Sequence, residues 1–215
     1  MIMDIENKET YWSRFVDNFE QKQQHVVGDN ILDLMQAELL KEVDLGLVLE
    51  LGCGTGLFTK SLQKVSAKVL ATDYSDEMIT AAQNNRGNLN NVTFQKANAF
   101  DLEFPDESFD TVFMANLIHV IGSAEQVVQE SKRVLRKSGQ LIITSFSITD
   151  MNFFSRMTMG IRYLKTFGRP SDEATKEKIT RKSVESLLVK NGFNISKSIV
   201  LGNKSKAFYI SCIKK

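Results

Sequence analysis

Proline is nearly absent from this chain, with two in 215 residues, and cysteine and histidine are equally scarce at two each. Two thiols, Cys53 and Cys212, cannot build a disulfide framework or a metal cluster, so no metal site is expected. No apolar run approaches the roughly 20 residues that a membrane-crossing helix needs, and Met1 to Glu9 is polar and acidic rather than signal-like. The expectation is a cytoplasmic chain with no integral membrane segment. There is no internal repeat and no low-complexity stretch.

The charge has little net sign, +1 overall, yet it is unevenly placed: residues 1–110 carry 9 basic and 19 acidic side chains, and residues 111–215 carry 18 and 7. A basic half can mark an anionic partner. Here the lysines and arginines are spread along helices and strand ends, which reads as solvated faces, and no nucleic-acid partner is expected. The length suits one domain, residues 1–215, and 42% hydrophobic with 25% charged residues is the composition of a globular protein.

What is present in concentrated form is the stretch Leu47-Val48-Leu49-Glu50-Leu51-Gly52-Cys53-Gly54-Thr55-Gly56. An apolar run, an acid and three alternating glycines, followed by an amphipathic segment from Leu57 to Val65, read as a buried parallel strand turning into a helix. Such glycines let the backbone turn sharply and approach a ligand closely. The dinucleotide fingerprint needs a glycine at the sixth loop position, where this chain has Leu57, so NAD is disfavoured. Cys53 reads as a small loop filler rather than a nucleophile.

A second strand, Lys68 to Asp73, ends in an acid 23 positions after Glu50, the interval of one β-α-β unit. Both acids should then emerge at the carboxyl ends of adjacent strands. Ser75 caps the next helix, Met78 to Asn84, which leaves Asp73 for a ligand. Further strands are expected at Val92–Ala97, Phe109–Ala115 and Leu141–Phe146, with a terminal hairpin at Ile195–Leu201 and Ala207–Ile213. Ser123 and Gln126 form a capping-box pattern for a helix ending near Lys137, and Thr180 to Asn191 is a last helix closed by Gly192. From Glu9 to about Val43 the apolar spacing is helical, with Gln21 to Gln24 separating two helices.

The run from Glu50 to Gly56 resembles the first motif of the class I S-adenosylmethionine (SAM)-dependent methyltransferases: apolar residues, an acid, any residue, then Gly-x-Gly-x-Gly. The likeness continues through Asp73, through Pro105-Asp106-Glu107-Ser108-Phe109-Asp110 before the fourth strand, and through Lys137-Ser138-Gly139-Gln140, where Ser and Gln replace Pro and Gly of the family's turn. It is closest to the small-molecule subgroup that includes the quinone-biosynthesis enzymes. The resemblance implies an α/β, Rossmann-like, seven-stranded and mostly parallel sheet with an antiparallel terminal hairpin and helices on both faces. It also implies SAM as cofactor, with S-adenosylhomocysteine as product, held by Glu50, Gly52, Cys53, Gly54, Gly56, Asp73, Tyr74, Met78, Asn98, Ala99 and Asn116. Asp73 would accept the ribose hydroxyls. Asn98 stands where the family has an adenine-binding Asp, and Phe19-Glu20 stand where it has a Tyr-Asp pair.

Methyl transfer from SAM needs alignment and dryness rather than a covalent nucleophile. His119, after the fourth strand, is the candidate base for the acceptor, with a packing role in the loop as the alternative. Base amino-methylases carry adjacent prolines after the fourth strand; Pro105 and Pro170 are far apart, so that subclass is excluded. Arsenite methylation needs more cysteines than two. The acceptor is expected to be small and partly apolar, and a SAM-binding protein without transferase activity stays open beside that reading. Residues 147–179 read as an inserted lid, with Phe153, Phe154, Met157, Ile161, Tyr163 and Leu164 lining an acceptor pocket and Ser171 to Lys178 as its hinge. A membrane surface and a dimer contact are the alternatives for it, and a monomer or a homodimer is expected.

Overall fold

The computed structural model describes residues 11–28, 30–169 and 179–215. Seven strands form one sheet: β1 Leu47–Leu51, β2 Lys68–Asp73, β3 Val92–Lys96, β4 Phe109–Ala115, β5 Leu135–Phe146, β6 Phe193–Leu201 and β7 Ala207–Lys214. Their order is β3-β2-β1-β4-β5-β7-β6; the first five are parallel, and β7 runs antiparallel between β5 and β6. The seven-stranded sheet and its terminal hairpin are those expected from the sequence.

Helices α1 Phe19–Val27 and α2 Ile31–Leu39 precede the sheet. Helices α3 Thr59–Val65, α4 Asp76–Arg86 and α5 Ala124–Val134 connect its parallel strands, α6 Phe153–Phe167 follows β5, and α7 Arg181–Lys190 precedes β6.

Alternation along the buried strands sorts the core into two layers. Val48, Val69, Ala71, Phe113, Ile142 and Tyr209 face one side, where Met35, Leu39, Leu62, Ile79 and Ala82 cover them. Leu49, Leu51, Val112, Met114, Leu141, Ile143, Phe208 and Ile210 face the other, under Val127, Val128, Val184 and Leu188. Each Val, Leu, Ile, Phe or Met side chain among them taken out of water contributes about 1.5–3 kcal/mol. Glu50 alternates onto the same face as Val48, which aims its carboxyl at α3.

Three local expectations are corrected. The break between the N-terminal helices falls at Gly28, whose φ of 60° ends α1, and Gln21 to Gln24 lie within that helix. Ser123 is the N-cap of α5 but makes no side-chain cap bond, and the Gln126 amide donates to the Phe100 carbonyl at 3.0 Å rather than reaching back to the cap. Helix α5 stops at Val134, and residues 136–139 bulge out of β5 between the pairings Phe109–Leu135 and Thr111–Gln140. The box at the start of α7 is complete, with Thr180 and Ser183 each accepting from the other's backbone N–H.

Candidate cofactor and active site

Between β1 and β4 the strand order reverses, and in an open parallel sheet the crevice outside the carboxyl ends at that point receives ligands. The glycine loop leaves β1 there. Gly52, Gly54 and Gly56 have φ of 70°, 54° and 86°, the left-handed region that costs glycine little. A Cβ on Gly52 would come to 2.9 Å from Leu117 Cδ1 at the end of β4. Helix α3 begins only at Thr59, two residues later than the sequence suggests, so its first N–H groups stand back from the loop.

Glu50 is buried beneath the loop, 2% exposed, and its Oε2 accepts from Thr59 Oγ1 at 2.5 Å. Burial pushes its carboxyl up to about 8; the nearby Asp73 carboxylate adds to the rise, and the Thr59 hydroxyl opposes it. Burial likewise raises the Cys53 thiol well above its ordinary value, which disfavours the nucleophilic thiolate. The Cys53 N–H donates to the Thr72 carbonyl at 2.8 Å, which ties the loop to β2.

Asp73, at the end of β2, is not left over for a ligand. Its Oδ2 accepts from the Gly54 N–H at 2.9 Å and its Oδ1 from the Ser75 N–H at 3.0 Å. Each carboxylate oxygen has further acceptor capacity, so the same group can shape the loop and meet hydroxyls. Ser75 caps α4 as expected, accepting from the Met78 N–H at 3.1 Å, with Met78 buried below. The half-buried Tyr74 ring has the Lys96 ammonium 5.4 Å from its centroid.

Asn98, beyond β3, uses its Oδ1 to accept from the Phe100 N–H at 3.0 Å, closing a turn that contains Ala99. One lone pair of the amide expected to meet adenine is therefore engaged locally. Asn116, beyond β4, takes a φ of 55° and accepts from the Phe146 N–H at 3.2 Å, joining the ends of β4 and β5. Glu50, Asp73, Asn98 and Asn116 thus mark the carboxyl ends of four adjacent strands, β1, β2, β3 and β4. At about 4.8 Å between strands they span on the order of 14 Å, which suits an elongated ligand lying across the edge.

The segment before α1 covers that edge. Ser13 Oγ lies 2.9 Å from both Ser75 Oγ and Glu77 Oε2, and a Cβ on Gly54 would meet Phe19 Cε1 at 3.8 Å. Glu20 accepts from Thr55 Oγ1 at 3.0 Å, and one terminal nitrogen of Arg86 donates to both its oxygens at 2.9 and 3.0 Å. This clamp, the Thr59 hydroxyl under Glu50, and Ser145 were not anticipated from the sequence. Only the position of Glu20 beside Phe19 signalled any of them.

His119 Nδ1 lies 2.7 Å from Oγ of the buried Ser145 on β5. Burial lowers the imidazole to about 4, so it is neutral near pH 7, with Ser145 fixing the ring through Nδ1. Helix α6 turns Met159, Tyr163 and Phe167 inward onto Trp12, Phe15 and Phe19. Tyr11 Oη donates to the Phe167 carbonyl at 3.2 Å, closing the same contact. The side chains expected to line an acceptor pocket point the other way: Phe153, Phe154, Met157, Ile161 and Leu164 are exposed. The expected hinge, Ser171 to Lys178, lies outside the described residues. A cavity of about 510 Å³ between α1 and α2, bounded by Glu20, Gln24, His25, Asp33, Gln36 and Leu57, includes none of the expected cofactor residues.

The model of a methyltransferase domain matches residues 49–143, which run from β1 to β5. A phosphatidylethanolamine N-methyltransferase of Cereibacter sphaeroides is 36% identical over 141 residues, 63% of this chain and 68% of that protein. A demethylmenaquinone methyltransferase of Tropheryma whipplei (strain Twist) is 33% identical over 100 residues, 46% of this chain; the chain spans only 41% of that relative's length. Among solved structures, a SAM-dependent methyltransferase of Thermotoga maritima superposes with a TM-score of 0.73 at 21% identity, covering 96% of this chain and 99% of that one. One from Aquifex aeolicus gives 0.69 at 20% identity, covering 94% and 98%.

Proposed function

Given that the chain belongs to the class I SAM-dependent methyltransferases, we propose that it transfers the sulfonium methyl of SAM to a small, partly apolar acceptor. The observation that carries this reading is the row Asn98, Asp73, Glu50, Asn116 across four neighbouring strand ends, with the glycine loop beside it and an aromatic segment over it. The residues present fit the cofactor: the glycines admit close approach, each Asp73 oxygen can accept more than one hydrogen bond, and its carboxylate suits a ligand of net positive charge.

SAM supplies an already activated methyl group, leaving the protein to align an in-line displacement and exclude water. In this reading Asp73 and the glycine loop hold the nucleoside portion, with Tyr74, Met78, Asn98 and Ala99 around the base. Trp12, Phe15, Phe19 and Phe167 keep the edge dry. His119 faces the acceptor and takes its proton at Nε2, while Ser145 holds Nδ1. The names of the relatives, one acting on phosphatidylethanolamine and one on demethylmenaquinone, support an acceptor with an apolar part. In the same reading the inward face of α6, with Met159, Tyr163 and Phe167, closes over the acceptor side, and the protein works in the cytoplasm as a monomer or homodimer.

Methyl-labelled SAM incubated with the protein and fractionated lysate tests the proposal. A labelled small molecule that appears only with active protein is the expected result. Tight SAM binding with no labelled product from any fraction would overturn transfer and leave a binding protein.

A further inference from the structure

Helix α6 has two apolar faces, and only one is used. Met159 and Phe167 are buried and Tyr163 half-buried against the N-terminal aromatic residues. On the other side Phe153 and Phe154 are 71% and 73% exposed, and Met157, Ile161 and Leu164 are 46%, 48% and 54% exposed. At 3.6 residues per turn these five fall within an arc of about 100°, forming a stripe along a helix of roughly 22 Å. Single exposed apolar residues are ordinary, but five large ones on one stripe mark a surface that something covers.

Charge identifies the covering. Within α6 there is no acidic residue, while Arg156 and Lys165, both exposed, border the stripe on opposite sides and exposed Arg169 follows the helix. Arg162 lies on the flank toward α1, where a Cβ on Gly28 would meet its guanidinium at 2.5 Å. The half of the sequence that contains this helix, residues 111–215, carries 18 basic against 7 acidic groups. An apolar centre between cationic margins is complementary to a surface with an apolar interior and anionic headgroups. A second copy of the chain in a symmetric pair would bring a basic margin against a basic margin.

We propose that the outward face of α6 seats on an anionic lipid bilayer, with the five apolar side chains at the acyl boundary and Arg156 and Lys165 among the phosphates. No helix among the described residues is long and apolar enough to cross a membrane, so the contact is peripheral. The proposal goes beyond methyl transfer and stands or falls without it, because its readout is lipid binding.

The test is sedimentation of the full chain with vesicles of phosphatidylcholine alone and of phosphatidylcholine with phosphatidylglycerol. Binding to the anionic vesicles that weakens in high salt is expected, with little on the zwitterionic ones. Phe153→Ser with Phe154→Ser should lower anionic-vesicle partitioning by on the order of tenfold or more. Arg156→Gln with Lys165→Gln should lower it on anionic vesicles while leaving the zwitterionic background unchanged. All four side chains are exposed, and unchanged thermal unfolding of the variants confirms intact folding. No binding to either vesicle, or equal binding to both, would overturn the proposal. So would a dimer in light scattering that the Phe153/Phe154 variant dissociates while vesicle binding is absent, since the stripe would then be a contact between copies.

Discussion

Thr59 Oγ1 donates to Glu50 Oε2 at 2.5 Å, nine residues along the chain and directly beneath the glycine loop. It is the one side-chain bond that favours the ionised form of a carboxyl which burial otherwise keeps neutral. Thr59→Val should therefore cost about 1–3 kcal/mol of stability and move the Glu50 transition further upward. Urea unfolding across a pH series measures both, and an unchanged pH profile would show that the hydroxyl does not act on Glu50.

Two perturbed groups of the site, Glu50 and His119, impose opposite pH dependences. Glu50 titrates near 4.5 when unfolded and about 8 when folded, so its contribution is full below 4.5 and lost as pH rises through about 8. His119 moves from 6.5 down to about 4, so its contribution is present above 6.5 and lost as pH falls toward 4. Between 6.5 and 8 only Glu50 acts. Stability should fall across that window in the native sequence, and Glu50→Gln should flatten the slope.

Asp73→Ala should lower SAM affinity by about 1–3 kcal/mol, because hydroxyls in a closed site lose a charged acceptor. Since Asp73 also accepts from the Gly54 and Ser75 N–H groups, some stability should be lost as well. Calorimetric affinity measured on variant that unfolds cooperatively separates the two roles. Unchanged affinity would confine Asp73 to shaping the loop.

His119→Ala should reduce turnover by on the order of 10²-fold while SAM affinity stays nearly intact. Ser145→Ala should shift the activity–pH profile without removing the base, because the ring loses its partner at Nδ1. Full turnover in His119→Ala would assign the imidazole to packing against Phe146, whose ring centroid is 6.1 Å away.

Glu20→Ala releases both Thr55 and Arg86 from the segment lying over the loop. The ion pair is partly exposed, so stability should change by less than about 1 kcal/mol. Cofactor exchange should instead accelerate by on the order of tenfold, since the cover opens more often. Stopped-flow dissociation of SAM measures it, and unaltered rates would show that the clamp does not gate the edge.

What could be read from the sequence was whatever covalent spacing enforces. Glu50 and Asp73 are separated by one β-α-β unit, so their arrival at neighbouring strand ends follows from chain geometry. Ser75 and Thr180 cap helices because their partners lie three residues on. The reciprocal half of the Ser123 box is missing because the Gln126 amide found a carbonyl 26 positions away, a contact no local window contains. Similarly, Ser145 reads as one more residue of a buried strand until folding brings His119 to it. Helix α6 misled because Met159, Tyr163 and Phe167 are as apolar as Phe153, Met157 and Leu164. Periodicity identifies two such faces without saying which one meets the protein.

Strand β7 occupies a position out of chain order, between β5 and β6, pairing Leu141 with Cys212 on one side and Ile195 with Cys212 on the other. During synthesis β5 therefore emerges with one whole edge unpaired, and it stays so while some sixty further residues are added. Neither β6 nor α7 can cover it, because both reach the sheet only through β7 or beside it. A ribosome stalled before residue 207 would display an open, apolar strand edge to its surroundings. The nascent chain is thus exposed to aberrant pairing for the whole interval between making β5 and making β7, and its yield in a cell should depend on chaperone capacity more than its final stability suggests.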